Sequence, residues 1–405
     1  MAQTHVLNCI TGLNVGGAEY MLARFAPKLA GSFFKPSVLS LMRPGPVAQL
    51  LASNGIAIAS LQMKQSRPGP RALMRLHDVM RSARPGLLHG WMYHGNVAAS
   101  IGSYLGDRQP VIWSVHHSLA NLSSEKLTTR ALIRISARLS YQVQAISYCS
   151  KVSARQHEAL GFDVSKRRII PNGVDCEQFR PRADARRYLV KQLSLPEERM
   201  LIGNIARAHP MKDHANFVRA IARLRSMGLD VQGVLIGDGH NDGVALSLAS
   251  QLGIGAMITI SPARSDIDRL VPGLDLFMLS SAWGEAFPIA VAEAMASGVP
   301  AIATDVGDCA WLLGEVELTV EPRDTEGLAN LAYSILSLPK EGRARLGEQA
   351  RGRVISSFSL KSYVDNHLSL YEEIMDQELA GRKTVDSAGP SQGALSAALR
   401  MWRRS

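Results

Sequence analysis

Short, nearly continuous apolar runs recur along the first 120 residues: THVLNCITG (4–12), KPSVLSLMR (35–43), IAIASLQM (56–63), PGLLHGWM (85–92) and PVIWSVHH (110–117). Runs of this length, bounded by glycine, proline and polar residues, read as strands buried on both faces. Between them AEYMLARFAPKLA (18–30) and RALMRLHDVMRSA (71–83) carry apolar positions at helical spacing. Strands about 20–30 residues apart with helices between them predict a parallel, doubly wound sheet. A charged stretch, RADARRYLVKQLSLPEER, interrupts the pattern, and the alternation then restarts with MLIGNIA (200–206), VQGVLIGDG (231–239), AMITISP (256–262), LDLFMLSS (274–281), VPAIATD (299–305) and ELTVEP (317–322).

The expected architecture is therefore α/β: two Rossmann-like doubly wound domains facing a cleft. The first domain is expected over residues 1–180, a linker helix and loop over 181–198, and the second domain over 199–358. A last helix over 359–380 is expected to pack back toward the first domain, followed by a mobile Gly/Ser/Pro-rich tail over 381–405. Two domains of ordinary size fit within 405 residues, and 46% hydrophobic content with a mean hydropathy of +0.01 describes a globular chain. No stretch reaches the roughly 20 apolar residues of a membrane helix. The N-terminus lacks the basic start and apolar run of a signal peptide, which predicts a cytoplasmic chain. Cys9, Cys149, Cys176 and Cys309 show no metal-ligand spacing and read as reduced, structural residues.

Charge is distributed unevenly. Residues 1–180 carry 21 Lys and Arg against 8 Asp and Glu, whereas the remainder carries 24 against 27. An anionic partner is thus expected for the first half alone, and nucleic acid or an anionic membrane surface both fit. Nucleic acid is disfavoured because the basic residues lack interleaved aromatics and no recognition module is evident. In TRALIRISARLSYQ, Arg130, Arg134 and Arg138 recur every four residues beside Leu132, Ile133, Ile135 and Leu139. This suits a surface helix at an anionic bilayer, and equally an ordinary solvated helix face. Arg71 and Arg75 add a second instance, and the terminal ALSAALRMWRRS reads either as a basic amphipathic helix or as disordered tail.

Ligands of open parallel sheets bind beyond the carboxyl ends of strands, at helix N-termini. Gly16 and Gly17 follow the first strand and open a helix, so their backbone can approach a phosphate or simply make a tight turn. The pair is not a dinucleotide fingerprint, so no nicotinamide cofactor is expected. In NIARAHPMKDH, Arg207 and Lys212 follow a strand and could clamp a diphosphate. In WGEAFPIAVAEAMASGVP, Glu285 and Glu293 lie eight positions apart. On one helix they would sit roughly 12 Å apart along the axis and about 80° apart in rotation, unsuited to one small ligand. Pro288 instead favours a loop that ends in a helix start, with Glu285 in the loop and Glu293 in the helix. An anion then fits between them, Glu293 accepting vicinal hydroxyls such as those of a ribose.

These residues resemble the family-4 retaining glycosyltransferases, which have the GT-B fold. EAFPIAVAE is similar to the family's two-glutamate motif, and GGAE (16–19), IPNGVD (170–175), Arg207 with Lys212, LIGDG (235–239) and EAMASGVP (293–300) follow in the family's order. The resemblance implies a hexosyltransferase-type enzyme that moves a sugar from a nucleotide-diphosphate sugar, with a UDP-sugar favoured, without a metal or other cofactor. The acceptor would be a saccharide or lipid-linked saccharide in cell-surface polysaccharide or glycolipid synthesis, at the inner face of the cytoplasmic membrane. Arg207 and Lys212 would hold the diphosphate, Glu293 the ribose and Glu285 the donor sugar, with main-chain N–H groups near Phe287 on the phosphates and Phe287, Pro288 and Ile289 all at the donor site. Gly16 and Gly17 would reach across the cleft, while Asn172 and Gly173 would be structural. Two positions depart from the pattern: Ala206 replaces the usual glycine before the arginine, and His240 replaces the proline of GDGP.

His116 and His117 directly follow a strand. In similar enzymes a histidine there contacts a donor-sugar hydroxyl, and spacing favours His116 over His117. His94 and His117 are candidates for the acceptor side, and His89 reads as a satisfied core histidine. No carboxylate is an evident covalent nucleophile, so same-face attack is expected. A nucleotide-sugar epimerase or a phosphorylase of the same fold is the alternative reading.

Overall fold

The computed structural model describes residues 3–64, 69–119, 122–240, 243–314 and 316–387. The first half contains β1 (Thr4–Ile10), β2 (Phe34–Met42), β3 (Ala57–Met63), β4 (Leu87–Trp91), β5 (Val111–Val115), β6 (Ala145–Tyr148) and β7 (Arg167–Ile169), with α1 (Gly17–Phe25), α2 (Pro46–Ser53), α3 (Pro70–Ala83), α4 (Met92–Leu105), α5 (Leu127–Leu139) and α6 (Lys151–Glu158) between them. They form a seven-stranded parallel sheet in the order β3-β2-β1-β4-β5-β6-β7. The second half contains β8 (Met200–Ile205), β9 (Val231–Ile236), β10 (Ile258–Ser261), β11 (Leu276–Leu279), β12 (Ala301–Thr304) and β13 (Thr319–Val320) in the order β10-β9-β8-β11-β12-β13. Its helices are α7 (Ala185–Leu193), α8 (His214–Ser226), α9 (Val244–Gln251), α10 (Ile267–Leu270), α11 (Ile289–Ala296), α12 (Cys309–Leu313), α13 (Thr325–Leu336), α14 (Lys340–Ser357) and α15 (Leu360–Ser387). Two doubly wound α/β units are thus present, as the hydrophobic pattern predicts.

β4 and β5 are buried along their whole length, which is why they read as unbroken apolar runs. Several predicted strands overshoot at their carboxyl ends. The run 274–281 leaves the sheet after Leu279, 231–239 after Ile236 and 110–117 after Val115, because the next residues bend into the cleft. β6 and β7 escaped the pattern. β6 has only four residues, and β7 is a charged edge strand, the form in which exposed edges avoid further pairing.

The segment 181–198 forms the expected helix, yet it does not stand free as a linker. Leu189 of α7 is buried with Leu201, Val234, Ile236 and Leu270 of the second half. Arg186 pairs with Asp275 at 2.7 Å and Arg182 with Asp268 at 2.9 Å, tying the first part of the segment to the same unit.

α15 crosses back onto the first sheet. Tyr363, Leu370, Tyr371 and Ile374 enter the core formed by Phe25, Phe34 and Trp91, and Arg168 meets Glu373 at 2.8 Å. The helix continues past residue 380 to Ser387. The rest of the expected tail, with its ALSAALRMWRRS stretch, lies outside the described residues.

Candidate functional site

Both sheets switch winding direction at one crevice, between β1 and β4 in the first half and between β8 and β11 in the second. Crevices of this kind at the carboxyl edge are the binding positions of doubly wound sheets. The segments that follow these four strands carry Gly16 and Gly17 at the start of α1, His94 in the first turn of α4, Arg207 and Lys212, and Glu285.

On the second half the residues after Leu279 leave β11 through Ser280 and Ser281. Gly284, at φ +81°, turns the chain in a conformation that side-chain-bearing residues rarely adopt. This turn directs Glu285 inward, where it is 7% exposed. Its Oε1 accepts from Lys212 Nζ at 2.5 Å and from Ser281 Oγ at 2.5 Å. Lys212 is itself positioned by a short turn over Pro210–Lys212, fastened to the Glu285 loop by Ser280 Oγ donating to Lys212 O at 3.0 Å and by Ala282 N donating to Met211 O at 2.8 Å. Arg207, exposed at the end of β8, makes no ion pair among the described residues.

Pro288 precedes the first helical residue of α11, and Phe287 is buried against Phe358 with ring centroids 5.5 Å apart. The Phe287 side chain is therefore a core group, and only its backbone is available to a ligand. The N–H groups of Ile289 and Ala290 open α11 and meet no protein acceptor among the described residues, as expected of a helix start. Glu293 lies one turn further along, inside the helix. Burial pushes its carboxyl up to about 7, partly offset by Arg24 of α1, whose guanidinium stands 3.7 Å away across the cleft.

The two departures from the family pattern meet in one contact. His240 Nε2 donates to Ala206 O at 2.8 Å, and the ring packs edge-on to His214 with centroids 4.5 Å apart. His240 thereby fixes the backbone immediately before Arg207, a bond that a proline could not make.

On the first half, His116 stacks on Trp91 with an interplanar angle of 5°, and its Nδ1 donates to Asn172 Oδ1 at 2.9 Å. Burial lowers its pKa to about 4, offset in part by Asn172, so the ring is neutral at pH 7 with Nε2 left as an acceptor. Its backbone N–H points at Met92 Sδ, 3.4 Å away, and Met92 holds a left-handed φ of +61° where β4 turns into α4. His117 faces the other way and donates from Nε2 to Glu125 Oε1 at 3.0 Å. The two adjacent histidines thus have different surroundings. His89 is buried with both ring nitrogens satisfied, by Tyr371 at 2.6 Å and Ser114 at 2.7 Å. His94 lines a groove between α3, α4 and α5. Gly16 precedes α1, and a Cβ there would meet Glu19 Oε2 at 2.3 Å, whereas one on Gly17 would meet nothing within 4 Å.

Four participants in this arrangement were missed by sequence reasoning. Asn172, taken as structural, holds the His116 ring, while Gly173 does pack tightly, since its Cβ would lie 2.7 Å from Leu360 Cα. Arg24, two turns into α1, meets Glu293, and Ser281 meets Glu285. Asp308 joins the two halves: its carboxylate accepts from the backbone N–H of Lys151 at 2.5 Å and of Val152 at 3.1 Å at the start of α6. The basic stripe on α5 also needs correction. Arg130 turns back to the carbonyls of Glu125, at 2.7 Å, and Ser123, so Arg134 and Arg138 are the exposed members.

Residues 15–178 match the family described as Glycosyltransferase Family 4, and residues 186–353 match Glycosyl transferases group 1. EpsF of Bacillus subtilis strain 168, named as a glycosyltransferase, is 25% identical over 322 residues, which span 75% of this chain and 80% of EpsF. The MMP alpha-(1->4)-mannosyltransferase of Mycolicibacterium hassiacum is 26% identical over 283 residues, 65% of each chain. Among solved structures, Anabaena Alr3699/HepE in complex with UDP superposes with a TM-score of 0.79 at 20% identity, covering 92% of this chain and 100% of that one.

Proposed function

This chain belongs to the glycosyltransferases of group 1 and family 4, and from that premise we propose that it transfers a sugar from a UDP-sugar to a saccharide or lipid-linked saccharide in polysaccharide or glycolipid synthesis, with retention of anomeric configuration and without a metal ion. The observation that carries the donor assignment is the convergence of Lys212, Ser281 and Glu285 beside the open N-terminus of α11. The UDP bound by Anabaena HepE supports the choice of nucleotide.

In this reading the diphosphate lies between Arg207, Lys212 and the N–H groups that open α11, with Gly16 and Gly17 approaching from the first half. These groups stabilise the charge that develops as the diphosphate departs. Glu293 accepts the ribose hydroxyls, and Glu285 faces the donor sugar. His116, neutral and held by Asn172, offers Nε2 to a sugar hydroxyl. The acceptor enters from the side of His94 and His117. Attack occurs on the face from which the diphosphate leaves, and the departing phosphate takes the acceptor's proton. The exposed arginines of α3 and α5 support work at the inner face of the cytoplasmic membrane.

Thermal-shift measurements with UDP, GDP and their sugars, followed by donor-hydrolysis kinetics, test the assignment. Glu293→Ala is expected to weaken UDP-sugar binding at least tenfold, and Glu285→Ala to slow turnover about a hundredfold with little change in donor affinity. Unchanged kinetics in both variants would overturn it. Activity should persist in EDTA, and conversion of the free nucleotide sugar into an epimer would favour the alternative chemistry.

A further inference from the structure

A groove of about 730 Å³ opens on the first half between α3, α4 and α5. Its walls are apolar, with Met63, Leu76, Val97, Ile101, Leu132 and Ile135 as the main contributors. His94, Val97, Ala98 and Ile101 recur at three- and four-residue intervals on α4, so they form one stripe about 10 Å long. The stripe begins at His94, just beyond β4 at the carboxyl edge of the sheet that also carries His116, and runs toward the opposite edge. The groove therefore has one end at the same edge of the sheet as His116.

The charge around it is mostly positive. α5 carries three arginines and no acidic residue, and α3 carries three arginines against Asp78. Among the described residues Arg71, Arg134 and Arg138 pair with no carboxylate, and Lys126 lines the mouth beside His94. Leu73, Met74, Leu127 and Ile135 stand exposed on the same two helices. An ordinary solvated face would mix both charge signs and turn such side chains inward.

We propose that this groove binds the hydrocarbon chain of an acceptor lipid with an anionic head group, the head lying at Lys126 and His94 and the chain running along α4. The apolar walls suit the chain, and the unpaired arginines suit the head group and its bilayer neighbours. The acceptor's identity rests on the sugar-transfer reading, but chain binding is measurable without any donor.

The test is calorimetric titration of the full chain with n-hexyl, n-octyl and n-decyl phosphate, below the concentrations at which they form micelles and without nucleotide. Affinity is expected to rise about fourfold per methylene. Ala131→Trp and Ile135→Asp, both at exposed wall positions, are expected to flatten that rise. Neutral n-octyl glucoside should bind at least fivefold more weakly than n-octyl phosphate at low salt, with the gap closing as salt is added. Affinity independent of chain length, or a rise undiminished in both variants, would overturn the groove assignment. Equal binding of the glucoside would overturn the anionic head group. UDP-sugar binding measured on the same preparation separates the two readings: a flat chain-length series beside intact donor binding sinks only the groove, and the converse sinks only the transferase.

Discussion

Glu293 shows how far a single side chain can be read from sequence and where the reading stops. Its place inside a helix that follows a loop was legible, because Pro288 marks the change between them. Its electrostatic setting was not, because that comes from Arg24, some 270 residues earlier in the chain, and from burial. With its carboxyl raised to about 7, Glu293 is half protonated at neutral pH. A protonated carboxyl loses acceptor capacity, so hydroxyl donors from a ribose bind best to the ionised form. UDP-sugar affinity is therefore expected to weaken about tenfold between pH 8 and pH 6, as the ionised fraction falls. Glu293→Gln should bind more weakly overall and show no step across this range, and calorimetry at four pH values measures both. An identical step in the variant would assign the titration to another group. Asn172 teaches the complementary lesson. Its motif was visible in IPNGVD, but its bond to His116 depends on a strand end and a turn that meet only in the folded sheet.

At the scale of elements, hydrophobic periodicity located the strands it could see and erred where strand ends serve the cleft. Ser280 and Ser281 continue the apolar run of β11 in sequence, yet their hydroxyls bind Lys212 O and Glu285 instead of continuing the sheet. β7 was invisible because its two arginines suit an edge rather than a buried strand. α7 read as a linker because its charges dominate, while only Ala185 and Leu189 of the helix are buried. The element with the most consequence for function is the contact between α6 and the turn before α12. Asp308 caps α6 from the opposite half, and its own N–H donates to Ala286 O at 3.2 Å, next to Glu285. Lys151 also lies over the Trp311 ring, 4.3 Å from its centre. Loss of a capping carboxylate costs about 1 kcal/mol, and here that energy favours the closed arrangement of the two halves. Asp308→Ala should shift the closing equilibrium about fivefold toward open, raising both the radius of gyration in small-angle scattering and the donor KM. A variant with unaltered scattering and KM would reduce Asp308 to a local cap.

For the whole molecule, the histidines that tie its parts together also set its response to acid. His89, His157 and His367 are buried, and His116 half-buried, in the first half or in the part of α15 that covers it, and His214 is buried in the second half. Burial lowers the pKa of each: to about 4 for His116 and His157, to about 3 for His214 and His367, and well below its usual value for His89. Between pH 6.5 and 4 the unfolded chain therefore binds protons at these sites that the folded chain does not. Stability contributed by the neutral rings is present above pH 6.5 and is lost as pH falls through this window, at up to about 1.4 kcal/mol per pH unit for each histidine. Glu293 and Asp308 act in the opposite sense, because burial raises their carboxyls and protonation relieves that cost. The histidines prevail in number, and four of the five guard the first half. The net effect of acid is therefore destabilising, and it falls most heavily on the first half. Hydrogen exchange followed from pH 7 to pH 4.5 should therefore show β4, β5 and α15 losing protection before β8, β9 and α8. The order follows from His89, whose bonds to Ser114 and Tyr371 join the first sheet to α15 and whose burial disfavours a charged ring at that junction. Simultaneous loss in both halves, or greater loss in the second, would mean that acid acts mainly through the carboxylates of the cleft and not through the histidines that fasten α15 to the sheet.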